Sequence, residues 1–182
     1  VVGSGGMWLP SKAPPAGDYD WSALDYRVQA LRDASSVPGR LVLRLFCAPE
    51  WMAGPNASKP CKHIAPEHYD DFAAFCGQVA ARYPDVGHFL VWNEMDGFYQ
   101  SSDWHSACPA VTFDGPGYTS LFNKVSRAVK EKNPSAKVGG PYVPISLAQC
   151  PPGTPGEVSG VWGAVNPGVL AFARYFVQHA AG

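Results

Sequence analysis

The sequence predicts an α/β fold built on a parallel sheet, and three observations carry that prediction. Short apolar runs of strand length alternate with longer segments whose apolar residues recur at helical spacing, giving a helix followed three times by strand, loop and helix. Alternation of this kind produces parallel strands joined by crossover helices. The long Gly- and Pro-rich loops all follow strands and precede helices, the side of α/β folds where ligand sites lie. Finally, the run from Phe89 to Trp92 breaks abruptly into Asn93-Glu94. Continuous apolar runs mark parallel strands covered by helices. A carboxylate at such an exit has poor strand propensity and is seldom buried without a partner. On these residues alone it is either the polar end of a strand or a group facing a site.

The elements follow in order. Gly3 to Gly17 reads as a loop. Ser22 and Asp25 have capping-box spacing, and Trp21, Leu24, Val28 and Leu31 form a helical stripe ended by Pro38-Gly39. Arg40 to Phe46 (RLVLRLF) has strand length. Arg44 within it is unusual: it either faces an interior with a partner or sits near a rim. Cys47 to Ile64 is a long loop of the kind that is functional or disordered. The next helix opens near Pro66, carries Tyr69, Phe72, Phe75, Cys76, Val79 and Tyr83 on one face, and stops at Pro84. The central strand precedes a second long loop that runs from Asp96 to Gly117. A helix with Tyr118, Leu121, Phe122, Val125 and Val129 at helical spacing then ends before Pro134. Lys137 to Pro141 is a short strand entering a Gly-rich turn, and Tyr142 to Val165 a third long loop. Asn166 is the expected N-cap of the last helix and Pro167 its first residue, with Leu170, Ala173, Phe176 and Val177 as its buried stripe and Ala181-Gly182 as its C-cap.

Composition narrows the function. A chain of 182 residues with 46% hydrophobic residues and a net charge of −1 suits one domain with a sizeable core. That balance offers no footprint for nucleic acid or an anionic membrane, and no apolar run approaches the roughly 20 residues that span a bilayer. The first residues lack the basic and apolar regions of a signal peptide, and the absence of Met predicts that the true N-terminus lies upstream. No Gly-rich nucleotide motif follows a strand, and the five His show no metal-ligand spacing, so neither cofactor nor metal is expected. Of the five Cys, Cys47 and Cys76 read as small buried hydrophobes, while Cys61, Cys108 and Cys150 lie in Pro-rich loops. Asn56-Ala-Ser58 is a glycosylation sequon. Loop aromatics, among them Trp8, Trp51, Tyr99, Trp104 and Tyr142, either stack on sugar rings or fill space under the loops. A closed barrel and a doubly wound sheet both satisfy the pattern.

Longer motifs narrow it further. Asp18-Tyr-Asp-Trp-Ser-Ala-Leu-Asp25, the stretch Arg40 to Trp51 with its Pro49-Glu-Trp51 exit, Val91-Trp-Asn-Glu94, and Asn133-Pro-Ser-Ala-Lys-Val-Gly-Gly-Pro141 occur in order with plausible spacing. Together they resemble clan A glycoside hydrolases. The resemblance is greatest to glycoside hydrolase family 39, the group of β-xylosidases and α-L-iduronidase, and it covers nearly the whole chain. Met95 stands where that family commonly has Pro, so a looser turn is expected there. The resemblance implies a partial (β/α)8 TIM barrel. The chain is then a single incomplete catalytic domain, residues 1–182, holding the barrel's strands three to five and the tail of strand two near Val1, without strand one or strands six to eight. A whole barrel takes about 250 residues.

The resemblance also implies roles. Glu94 is the acid/base of a retaining glycosidase and Asn93 the partner of the sugar 2-hydroxyl; of the loop aromatics, Trp51, Tyr99 and Tyr142 are the expected substrate-binding residues, with Trp51 either a subsite wall or structural filler. The nucleophile, a Glu at the end of strand seven, lies outside the chain; Glu50 and Asp96 are the less favoured internal candidates. In such enzymes the two carboxyl groups stand about 5–5.5 Å apart across the scissile bond. The expected partner is a carbohydrate, with no nucleic acid, membrane or cofactor, and the oligomeric state is open. The 182 residues alone are expected to be inactive and prone to aggregate through open edges at strands three and five. Cys108 and Cys150 follow adjacent strands of that barrel and are one possible disulfide, with Cys61–Cys108 as the competitor. With the sequon, this predicts an extracytoplasmic or secreted protein. The alternatives are a non-catalytic carbohydrate-binding relative and an unrelated α/β enzyme with a chance Trp-Asn-Glu.

Overall fold

The computed structural model describes residues 2–3, 19–34, 41–54, 60–95, 97–98, 113–141, 143, 158–160, 163–165 and 167–181. Its centre is a four-stranded parallel sheet whose spatial order follows the chain: β1 (Val2–Gly3), β2 (Val42–Phe46), β3 (His88–Val91) and β4 (Lys137–Gly139). Leu45 lies opposite Val2 on one side and Val91 on the other, and Leu90 lies opposite Gly139. The α/β class and parallel sheet agree with the sequence. β1 pairs with the end of β2, so β2 is not an open edge there; the sheet's outer strands are β1 and β4.

Alternation along the strands decides what is core. Leu43, Leu45, Phe89 and Val91 join one apolar cluster with residues of the helices, while Val42 and His88 are exposed and Arg44, Phe46 and Leu90 half-buried. The cluster is filled by α2 (Tyr69–Arg82) and α3 (Gly115–Lys132). The stripes read from the sequence are buried in both: Tyr69, Phe72, Phe75, Cys76 and Val79 in α2, and Tyr118, Leu121, Phe122, Val125 and Val129 in α3. At Gly77 a Cβ atom would lie 3.2 Å from the Ala128 carbonyl oxygen, so the absence of a side chain lets the two helices approach closely. Asp114 caps α3 by accepting a hydrogen bond from the Gly117 N–H at 2.8 Å, and Lys124 on α3 pairs with Asp70 on α2 at 2.6 Å.

Two helices depart from expectation. In α1 (Ser22–Ala34) Leu24 and Val28 are buried, but Leu31 is 51% exposed. Ser22 does not cap this helix. Asp20 accepts from the Ser22 backbone N–H at 3.0 Å and from its hydroxyl at 2.6 Å, bonds that lower the Asp20 pKa. Asp25, the expected capping-box partner, instead takes two bonds from Arg82, at 2.8 and 2.5 Å, and one from the Tyr83 hydroxyl at 2.7 Å. A charged guanidinium is a stronger partner than a backbone N–H one turn away, and it draws Asp25 toward the end of α2. In α4 (Pro167–His179) the buried residues are Val169, Phe172 and Phe176, while Val177 is 79% exposed. The stripe is rotated from the expected one because Phe172 and Phe176 reach the rings of Tyr118 and Phe122 on α3. Part of the stretch expected to be loop forms an antiparallel hairpin, β5 (Val158–Gly160) with β6 (Gly163–Val165). Among the described residues no helix is long and apolar enough to cross a membrane.

Candidate active site

The site is built where β2 and β3 end. Left-handed backbone is uncommon for residues other than Gly. Among the described residues it occurs at Cys47 (φ 70°), just after β2, and at Trp92, Glu94 and Met95 (φ 68°, 45° and 57°), just after β3. Each such residue costs on the order of 1–3 kcal/mol and persists only where its surroundings fix it.

The Trp92 N–H continues the ladder by donating to the Leu45 carbonyl at 2.8 Å. Its ring is 1% exposed and meets Phe46, Phe72 and Phe98 edge-on, with centroids 5.2, 5.4 and 6.0 Å away. Met95 and Phe98 are also buried, and the Phe98 N–H closes the turn on the Met95 carbonyl at 2.9 Å. Three buried side chains at every third position therefore anchor the turn, and Asn93 and Glu94 between them stay half-buried. Trp92 is thus an anchor in the core rather than a platform for a ligand. Met95 is buried, and its φ of 57° is one that Pro, fixed near −65°, cannot adopt, so the turn is of a different kind from one that holds Pro there.

Neighbouring elements hold the turn from below and from the side. The buried Tyr118 hydroxyl donates to the Val91 carbonyl at 2.9 Å, and burial pushes its pKa upward, so it remains a donor. A Cβ at Gly140, just after β4, would come within 2.3 Å of that hydroxyl oxygen, so Tyr118 stands beneath two strand exits at once. Arg44 on β2 donates from Nη1 to Asn93 Oδ1. Arg44 thus has a partner, and that partner stands at the strand exits.

The loop after β2 closes the side. Cys47 and Cys61 form a disulfide with Cα atoms 4.4 Å apart. This corrects two expectations: Cys47 is no free buried thiol, and Cys61 is not paired with Cys108. Spacing cannot name a disulfide partner; here the left-handed turn at Cys47 brings it to the returning loop. Cys76 is the buried free thiol expected, and burial raises its pKa well up, which makes it inert. The tethered loop touches the Glu94 turn, since a Cβ at Gly97 (φ 78°) would lie 2.3 Å from the Lys62 carbonyl oxygen. Trp51 is half-buried in a short 3-10 turn, Glu50–Met52, with its ring edge-on to His68 at 5.0 Å. Glu50 is exposed. Tyr99, Tyr142, Asp96, Trp8, Trp104, Cys108, Cys150, Asn166 and the sequon lie outside the described residues.

The structure therefore brings Arg44, Asn93 and Glu94 to one rim. Sequence reasoning missed Tyr118 as a support; its signal was only an aromatic in a helical stripe. An apolar groove of about 470 Å³ lies elsewhere, on α1, lined by Leu24, Val28, Leu31 and Leu43 among others. Among the described residues no three His, Cys, Asp or Glu converge as a metal site would need.

No family model and no curated protein sequence matches the chain. Among solved structures, the crystal structure of a monomeric beta-xylosidase from Caulobacter crescentus CB15 is similar at 28% identity and a TM-score of 0.48, over 69% of this chain and 25% of that one. The chain thus spans about a quarter of that protein's length.

Proposed function

We propose that the chain carries the acid/base half of a retaining glycoside hydrolase active site on part of a (β/α)8 barrel, of the kind its motifs resemble. The observation that carries the reading is the position of Glu94: half-buried, in a left-handed turn, at the C-terminal end of a central parallel strand. That end is where α/β folds present catalytic groups, and strained backbone clusters at functional sites.

In the proposed reaction a carboxylate nucleophile from outside these residues attacks the anomeric carbon. As the glycosidic bond breaks, Glu94 gives its proton to the leaving oxygen. It then takes a proton from the water that attacks the glycosyl–enzyme intermediate, releasing the sugar with retained configuration and restoring the nucleophile. Asn93 would meet the 2-hydroxyl, where contacts strengthen in the transition state. Trp51, with Tyr99 and Tyr142, would supply flat apolar walls for the sugar rings. The Cys47–Cys61 disulfide suits an oxidising, extracytoplasmic compartment.

The test is Glu94→Ala in a protein that carries these residues together with the nucleophile. Turnover of aryl glycosides with poor leaving groups is expected to fall about 10²–10⁴-fold, the usual contribution of a positioned acid/base. An activated leaving group, which needs no proton, should be cleaved in the first step nearly as fast as before, and azide should restore product release as a glycosyl azide. Equal loss on both leaving groups would remove Glu94 from the proton-transfer role. Sugar binding without turnover in the wild type would favour a non-catalytic carbohydrate-binding protein.

A further inference from the structure

Arg44 is a charged residue in the middle of an apolar strand, flanked by Leu43 and Leu45, which are 4% and 0% exposed. Alternation sends its side chain to the face opposite those leucines, where it is half-buried and reaches Asn93. Which end of an Asn amide is oxygen is usually a matter of assignment. The chemistry of Arg decides it here. A guanidinium has five N–H donors and no acceptor, so the amide end facing Arg44 is Oδ1. The two N–H groups of Asn93 are then at the far end.

We propose that Arg44 is a positioning residue that fixes Asn93 as a hydrogen-bond donor toward the ligand, so that the site selects sugars bearing an acceptor oxygen beside the anomeric carbon. The proposal rests on the glycosidase reading for its substrate and on the Arg44–Asn93 contact for its geometry. Removing Arg44 removes the pure donor that requires the carbonyl end of the amide on the β2 side, so the polarity that Asn93 shows a ligand is no longer set from β2. A hydroxyl beside the anomeric carbon is held through its oxygen and keeps its own hydrogen for another partner. A deoxy sugar has nothing for Asn93 to grip and should be indifferent to Arg44.

Two measurements, on a protein that carries these residues together with the nucleophile, test this: the side-chain amide ¹⁵N–¹H resonances of Asn93, assigned by their loss in Asn93→Ala, and kcat/KM for an aryl glycoside and its 2-deoxy counterpart. Arg44→Met should shift or broaden the Asn93 resonances. It should also lower kcat/KM on the hydroxylated substrate about tenfold, the worth of one hydrogen bond, and leave the 2-deoxy substrate nearly unchanged. Arg44→Lys, still a pure donor, should recover part of the loss. If Arg44→Met does not fold, Arg44→Gln serves, because its amide both donates and accepts and so no longer enforces polarity. Equal losses on the two substrates, or Asn93 resonances that do not respond, overturn the proposal. A wild-type protein with the nucleophile present that neither binds nor cleaves a glycoside sinks the glycosidase reading and the substrate claim with it, and the resonances then decide the hold of Arg44 on Asn93 by themselves.

Discussion

On one face of β2 and β3, Leu43, Leu45, Phe89 and Val91 are at most 4% exposed; on the other, Val42 is 53% exposed and Arg44, Phe46 and Leu90 are half-buried. Neighbouring residues of one strand thus carry different tasks. The helix-covered face is apolar throughout and supplies stability. The opposite face is mixed, and its one charged side chain leads to Asn93 at the rim. On the proposed reading, stability and chemistry are separated by the two-residue period of a strand, so substitutions on the two faces should have different readouts.

The sharpest way to break this comparison is a matched pair of truncations. Phe72→Ala, beneath the sheet and 0% exposed, should lower stability by about 3–5 kcal/mol. Val42→Ala should change it by less than about 0.5 kcal/mol. Chemical denaturation of both variants measures this, and similar losses would erase the distinction between the faces. Next in size is Gly97→Ala. The new methyl would meet the Lys62 carbonyl in a left-handed backbone, and a loss of about 2 kcal/mol is expected. A neutral result would show that the tethered loop does not brace the turn.

Glu94→Gly should move the other way. Gly accepts φ 45° without strain, so stability should rise by about 0.5–1 kcal/mol while, on the proposed reading, turnover of substrates with poor leaving groups falls. A fall in stability would mean that the left-handed conformation stores little strain. The smallest effect concerns Asp25. Its hydrogen bonds with Arg82 hold its folded pKa below the usual carboxylate value. The stabilisation is therefore fully present above the unfolded pKa of about 3.9 and is lost as pH falls through the folded value. The pair is substantially solvent-exposed, so Asp25→Asn should cost only about 0.5 kcal/mol at neutral pH. It should also flatten the acid limb of the stability curve; an unchanged limb would count against the pair.

What the sequence made legible follows from what each signal encodes. Helices α2 and α3 were legible because burial imposes a 3.6-residue period, and their stripes match residue for residue. The last helix was legible as a helix, but its stripe was read one step off: Leu170, Ala173 and Val177 are as apolar as their neighbours, and contacts with Tyr118 and Phe122 decide which side is buried. Glu94 at a strand exit was legible from the break in apolarity. The left-handed backbone around it was not, because Trp, Glu and Met advertise no such conformation. The Cys47–Cys61 bond depends on which residues meet in space, and neither composition nor spacing contains that.

The close approach at Gly77 has a consequence for how such a rim can change. With no side chain there, α2 seats its backbone against Ala128 of α3, and the β2 and β3 units that those helices flank are locked at one separation. Loops above can be exchanged, lengthened or recharged without altering that gauge. A single methyl group at position 77 would stand 3.2 Å from the Ala128 carbonyl oxygen and oblige the two helices to give by a few tenths of an ångström, so change at this seam costs more than change in the loops.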